Sequence, residues 1–220
     1  MCGRFYITIS LAAIAKRFGV QATTINYDPS FNIAPSQYVT VIINEKPWKL
    51  ENQKWGLVPS WSKTPSTTYS TINARAETLD EKPTYRTLIQ SKRCIIPAQG
   101  FFEWKQFNQN KTKVPYKIEH KGGLVGFAGL WDEWKSPQTN NILRTFTIIT
   151  VPSNNKMKTI HLRMPVMLLP EQISRWLDEA DKNILKPIDD EDTIITQISN
   201  LVNNPENNNE KLLLPERTLL

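Results

Sequence analysis

The sequence predicts an α+β protein, rich in β-structure and built as one domain. Three observations predict this. Short β-branched and aromatic runs recur between turn residues, and a few amphipathic helical segments sit among them. The length, 220 residues and 25.4 kDa, fits one domain or two small ones and leaves room for a buried core. Composition is ordinary for a globular chain, with 40% hydrophobic and 22% charged residues, which excludes a disordered or low-complexity protein. No internal repeat and no long linker divides it.

The elements follow in order. Residues 5–15 (FYITISLAAIA) are apolar, follow Arg4 and end in an A-x-A pattern, as a short signal peptide would. A single positive charge and the polar Thr8 and Ser10 argue against that. Ser10 reads better as the N-cap of a helix over 10–18, with a stripe of Leu11, Ile14, Ala15 and Phe18 and a stop at Gly19. Strands are expected at 38–44 (YVTVIIN), 93–97 (RCIIP), 115–119 (PYKIE), 124–131 (LVGFAGLW), 145–151 (TFTIITV) and 164–169 (MPVMLL). Further helices are expected at about 76–90, 171–180 and 190–202. The 171–180 segment follows Pro170 and puts Ile173, Trp176 and Leu177 on one face. Residues 203–209 (NNPENNN) read as a turn or loop, and 211–215 (KLLLP) as a last strand. No stretch is long enough to span a membrane as an apolar helix.

Charge is unevenly spread. The net charge is +6. Residues 178–220 hold ten acidic and four basic residues, a net of −6, and residues 1–177 therefore carry +12. Such asymmetry points to a polyanion such as nucleic acid, and equally to a solvated basic face. The two cysteines, Cys2 and Cys94, form no CxxC pair. That argues against structural zinc and a disulfide framework and fits a reducing cytosol.

Cys2 is the most unusual residue. If Met1 is removed, the chain begins with an α-amine and a thiol on adjacent carbons. Their reference pKa values, about 7.7–8.0 and 8.5, leave both a nucleophilic fraction near neutrality. Such a 1,2-aminothiol condenses with an aldehyde to an imine, which the thiol closes to a thiazolidine. An N-terminal Cys also begins amidohydrolases, where the amine serves as base, and a Cys/His hydrolase with His161 is a further option. Glu103 lies in GFFEWK, where aromatic neighbours favour proton transfer; it reads equally as an exposed residue on an edge strand. His161, in TIHLRMP, is catalytic or structural, and Asn73, in TINARAET, caps a helix or orients a substrate. Arg4, Arg75 and Arg163 each lie within two residues of one of these candidates, and guanidinium groups grip phosphates. Trp55, Trp61, Trp104, Trp131 and Trp134 supply rings for base stacking or for the core.

Taken together, MCGRF at 1–5, NIAPSQ at 32–37, WGLVPSW at 55–61, NARAET at 73–78 and CIIPAQGFFEW at 94–104 form an ordered set. FAGLW at 127–131 and the TVPSN…IHLRMPVML run at 150–168 complete it. The set resembles the SOS-response-associated peptidase family, abasic-site processing proteins that crosslink to DNA, over about residues 2–200. The resemblance implies a single domain with a mixed or antiparallel barrel-like sheet, flanking helices and a basic DNA cleft, followed by an extension at 203–220. It implies binding of abasic sites in single-stranded DNA and at single-strand/double-strand junctions, with no cofactor, no metal and no membrane, by a cytoplasmic monomer. Carried over by motif, Cys2 is the nucleophile, Asn73 positions the sugar or Cys2, Glu103 handles protons, and His161 assists ring opening and later release. Arg4, Arg75 and Arg163 would contact phosphate or sugar. Pro35, Trp61 and Trp104 would separate or stack the flanking bases. The family's peptidase label implies removal of its own Met1, and a lyase label fits the same chemistry. Gln99 stands where the family often has Asp, which would change the charge near Glu103. Two other functions stay open on the residues alone: an N-terminal-cysteine amidohydrolase such as a glutaminase, and a non-covalent single-strand DNA-binding module.

Overall fold

The computed structural model describes residues 2–21, 24–65, 71–107 and 113–216. Strand β1 (Phe5–Ile7) leads to helix α1 (Leu11–Phe18). Ser10 caps α1 by accepting the Ala13 N–H, and Gly19 ends it in the left-handed conformation, as expected. Then come β2 (Ser30–Ile33), β3 (Tyr38–Ile43), β4 (Lys49–Trp55), β5 (Asn73–Arg75), the short helices α2 (Pro83–Arg86) and α3 (Leu88–Ser91), β6 (Arg93–Ala98), β7 (Gly100–Gln106) and β8 (Lys113–His120). The long strands β9 (Val125–Lys135) and β10 (Ile142–Pro152) follow, then α4 (Asn155–Lys158), β11 (Arg163–Pro165), β12 (Met167–Leu168), α5 (Ile173–Leu177) and β13 (Thr193–Gln197).

Five strands close a barrel. β10, β4, β3, β6 and β9 pair in that order, and β9 pairs back to β10. Only the β4–β10 pairing within this ring is parallel. Closure removes the exposed edges that an open sheet would present. Gly129 of β9 lies opposite Cys94 of β6 and Ile148 of β10. A Cβ there would stand 2.5 Å from Ile96 Cδ1 and 2.7 Å from the Thr147 carbonyl oxygen, so the ring closes only around a residue with no side chain. A second, antiparallel sheet runs β13-β8-β7-β1-β2.

Phe5 fastens the start of the chain to the barrel. Its ring meets Trp55 edge-on at 5.1 Å and Phe127 at 5.8 Å. All three rings are fully buried. The buried Trp55 indole donates to the Ile72 carbonyl at 2.9 Å, which satisfies its one polar atom. Arg93 is buried as well. Its guanidinium donates to the carbonyls of Ile89, Trp176 and Leu177, groups that short helix ends leave without intrahelical partners.

Several expectations need correction. The helix expected at 76–90 breaks into a 3-10 turn (Ala76–Thr78) and α2 and α3. Pro83 has no N–H to continue a helix and instead starts α2. The helix expected at 190–202 is instead β13 flanked by two 3-10 turns, Asp190–Asp192 and Asn200–Asn203. Its TIITQ run is β-branched and pairs with β8 from Thr193 opposite His120 to Gln197 opposite Tyr116. The last strand expected at 211–215 is a 3-10 turn (Glu210–Leu213). The strand expected at 164–169 splits at Val166, where the chain crosses from β10 to β9. β4 escaped notice because its sequence, KLENQKW, is largely polar.

Candidate active site

The site begins with strand register. On β1 and β7, Phe5 lies opposite Phe101 and Tyr6 opposite Gly100, and the Phe102 N–H donates to the Arg4 carbonyl at 2.9 Å. Continuing that register toward the chain start brings it alongside Glu103. Cys2 is fully buried there. Asn73 reaches it from the barrel side, its Nδ2 donating to the Cys2 carbonyl at 2.8 Å. Parallel pairing of β5 with β10 sets Asn73 opposite Ile148. The Asn73 Oδ1 is buried and has no hydrogen-bond partner among the described residues.

Glu103 is 7% exposed on β7, which lies between β1 and β8. It therefore occupies a central strand and not an edge. Its Oε1 accepts the Trp104 N–H at 3.3 Å. His161 follows α4, which Asn154 caps by accepting the Met157 N–H. The His161 N–H donates to the Met157 carbonyl at 3.0 Å, and its ring Nδ1 accepts the Arg163 N–H at 3.0 Å. The same Nδ1 lies 3.2 Å from the Arg163 carbonyl, to which it donates in the other tautomer. The same Nδ1 stands 4.0 Å from Glu103 Oε2, so protonating it would turn the ring's donor toward the carboxylate. The Cys2 thiol is pushed up to about 12, chiefly by burial and then by the charge of Glu103, while a backbone hydrogen bond with Arg4 opposes the rise. The thiol is thus neutral near pH 7.

An open cleft of about 1260 Å³ reaches Glu103 and His161, while Cys2 and Asn73 are buried and are not among its lining residues. Arg75, Glu103, Trp104, His161 and Arg163 line it, as do Lys113, Lys158 and Leu162. Sequence reasoning missed the two lysines, although the basic excess of residues 1–177 was their signal. The arginines differ in availability. Arg75 is exposed. Arg163 donates from Nη2 to Glu77 Oε2 at 3.0 Å and to the Thr150 carbonyl at 2.6 Å, which commits most of its guanidinium within the protein. Arg4 does not line the cleft. It donates to Asn32 Oδ1 and the Val202 carbonyl, both at 2.8 Å, and lies over the Trp104 ring. Burial lowers its pKa. Trp61 is 69% exposed on the turn after β4, and Pro35 is half-buried between β2 and β3; neither is among the cleft-lining residues. Trp55, Trp131 and Trp134 are core. Gln99 accepts from the Thr8 N–H and hydroxyl, which fastens the β6–β7 corner to the residue after β1. Met1 lies outside the described residues. Among the described residues no helix is long and apolar enough to cross a membrane, and no cluster of three or more His, Cys, Asp or Glu could hold a metal ion.

Comparison with known proteins identifies the family of the chain. A family profile described as SOS response associated peptidase (SRAP) matches residues 1–205. The chain is 43% identical to the abasic site processing protein YoqW of Bacillus subtilis, across 97% of this chain and 99% of that protein. It is 34% identical to the abasic site processing protein HMCES of Xenopus tropicalis, across 83% of this chain and 64% of that protein. A crystal structure of a Bacteroides thetaiotaomicron protein superposes with a TM-score of 0.84 at 28% identity, covering 99% of this chain and all of that one. With a profile spanning almost the whole chain and relatives this similar from end to end, the chain belongs to the SOS response associated peptidase family.

Proposed function

We propose that this protein processes abasic sites in DNA by trapping their aldehyde on Cys2. The observation that carries the proposal is a buried Cys at the chain start, held by Asn73 and within the field of Glu103, which in turn faces His161 and lines a basic cleft with it. The names of the relatives, abasic site processing proteins, support the abasic site as the substrate.

Release of Met1 exposes the Cys2 α-amine. The amine attacks C1′ of the ring-opened deoxyribose, water leaves and an imine forms. The sulfur then adds to the imine carbon, the thiol proton passes to nitrogen, and the thiazolidine closes. One water is lost overall and no redox partner is needed. A thiol held neutral leaves the amine as the first nucleophile, because the amine's reference pKa of about 7.7–8.0 lies far lower. Glu103 takes the ammonium proton, returns it to the hydroxyl that leaves as water, and later relays the thiol proton to the nitrogen. His161 assists sugar ring opening and release. Asn73 fixes the Cys2 carbonyl, and its Oδ1 accepts from the new amine or a sugar hydroxyl. Arg75, Lys113 and Lys158 hold the phosphates of a single strand or a junction. Arg163 joins them where a phosphate displaces Glu77, Arg4 braces the Trp104 wall, and Pro35 and Trp61 meet the flanking bases.

Intact mass measured before and after incubation with an abasic single strand tests this. The expected protein lacks Met1 and gains the mass of the strand less one water. Cys2→Ala should give no adduct. An equally stable adduct in Cys2→Ala would reject the thiazolidine, and equal reversible binding of intact and abasic strands with no adduct would leave only a non-covalent DNA-binding module.

A further inference from the structure

Taking the abasic-site chemistry proposed above as given, we infer that Leu162 selects for the missing base by filling the space it leaves. Leu162 is 73% exposed, the highest value among the exposed large hydrophobic residues that are described, and it lines the cleft between His161 and Arg163. It does not sit on a loose loop. The His161 N–H is bonded to the Met157 carbonyl, the Ser153 N–H to the Leu162 carbonyl and the Arg163 N–H to the His161 ring, each at 3.0 Å. The backbone on both sides is fixed, and the leucine is held outward.

The other apolar groups of the cleft are committed elsewhere. Ile160 packs against the core. The Trp104 indole donates to Asn203 Oδ1 at 2.7 Å, and its ring carries the Arg4 guanidinium at 5.8 Å. Leu162 holds the uncommitted apolar surface. Holding it in water forgoes the hydrophobic stabilisation of burial.

An abasic nucleotide offers no base edge to read. What distinguishes it is a gap with an apolar base face above and below. A branched aliphatic chain fills such a gap and is excluded when a base is present. Leu162 adjoins His161, which acts on the sugar of that same nucleotide, so it reaches the gap when the sugar reaches the site.

The test uses single strands carrying a tetrahydrofuran residue, an abasic analogue with no aldehyde, so that binding to the mature protein is reversible. Wild type should prefer the tetrahydrofuran strand over an intact strand. Leu162→Ala should lose about tenfold of that preference, as expected from the leucine surface no longer buried. Its affinity for the intact strand should not change. Leu162→Met should keep most of the preference and Leu162→Asn should lose it. With a true abasic strand, Leu162→Ala should raise the half-saturating DNA concentration and leave the maximal crosslinking rate unaltered. An unchanged preference in Leu162→Ala, or equal weakening toward both strands, overturns the inference. So does a wild type with no preference. Matching melting temperatures exclude unfolding as a cause. Absence of any wild-type adduct would instead strike the chemistry proposed above, which separates the two failures.

Discussion

Replacing Asn73 by leucine separates a structural contact from a catalytic one. The bond lost is 2.8 Å long and buried at both ends, Cys2 being fully buried and Asn73 7% exposed. Leaving the Cys2 carbonyl buried without a donor costs about 1–3 kcal/mol. Leucine matches asparagine in size and also removes the Oδ1 that has no partner, which offsets part of that cost. The net loss is then about 1 kcal/mol, a fall of about 2–4 °C in melting temperature for a chain of this length. The effect on rate should be larger. A reacting group displaced by about 1 Å loses on the order of 100-fold. Asn73→Leu should therefore melt a few degrees lower by circular dichroism and form adduct with abasic single strands about 100-fold more slowly on denaturing gels. Asn73→Asp, which cannot donate and repels the Cys2 carbonyl, should be worse in both assays. A normal crosslinking rate beside a lowered melting temperature would reduce Asn73 to a staple. No change in either would remove the hydrogen bond from the account altogether.

Two further outcomes follow from the cleft and the thiol. Arg75→Ala, Lys113→Ala and Lys158→Ala should each weaken single-strand binding and flatten the plot of log affinity against log salt by about 0.7, whereas Arg4→Ala should lower the melting temperature with the slope intact; an Arg4→Ala slope change equal to the others would contradict the internal commitment of Arg4. Cys2 also links stability to pH. Its folded pKa of about 12 lies above the ordinary 9.0, so its contribution is complete below pH 9 and is lost as pH rises toward 12. Denaturant titrations should show Cys2→Ala losing about 1.4 kcal/mol less than the parent chain between pH 7 and pH 10, and parallel losses would mean that the thiol is not held neutral.

The legible parts of the fold are those with local physical causes. Helix α1 was readable to the residue because Ser10 and Gly19 are its caps and lie in sequence beside it. The apolar strands β3, β6, β9 and β10 were readable because both their faces are buried. β4 was not, since its polar side chains are carried by its pairing with β3 and β10 rather than by an apolar pattern. Barrel closure was likewise hidden. It depends on β9 meeting β10 and on the space at Gly129, neither of which is a property of any short window. The candidate site divides the same way. Motif order named Cys2, Asn73, Glu103 and His161 together, and the fold links Cys2 to Asn73 and Glu103 to His161. Sequence could not show which donors the arginines keep: Arg4 spends its donors on Asn32 and Val202, and Arg163 is paired with Glu77 while lining the cleft. Partner choice for a long charged side chain is set by tertiary neighbours.

Burial of Cys2 bears on the order of events as well as on protection. An exposed thiol of ordinary acidity would be open to oxidation and to stray electrophiles. A thiol that is fully buried and held near 12 is inert to both. The same burial would defeat a mechanism that begins with thiolate attack. It suits one that begins with the amine, because imine formation brings the electrophilic carbon to the sulfur as an intramolecular neighbour, where effective concentration replaces acidity. In the proposed mechanism Glu103 then has opposite effects in succession: its charge adds to burial in keeping the resting thiol protonated, and its carboxylate would receive that proton once the imine is in place. Glu103→Gln would make the resting thiol more acidic and slow the crosslink at the same time, a pairing that neither a purely electrostatic nor a purely structural glutamate would produce.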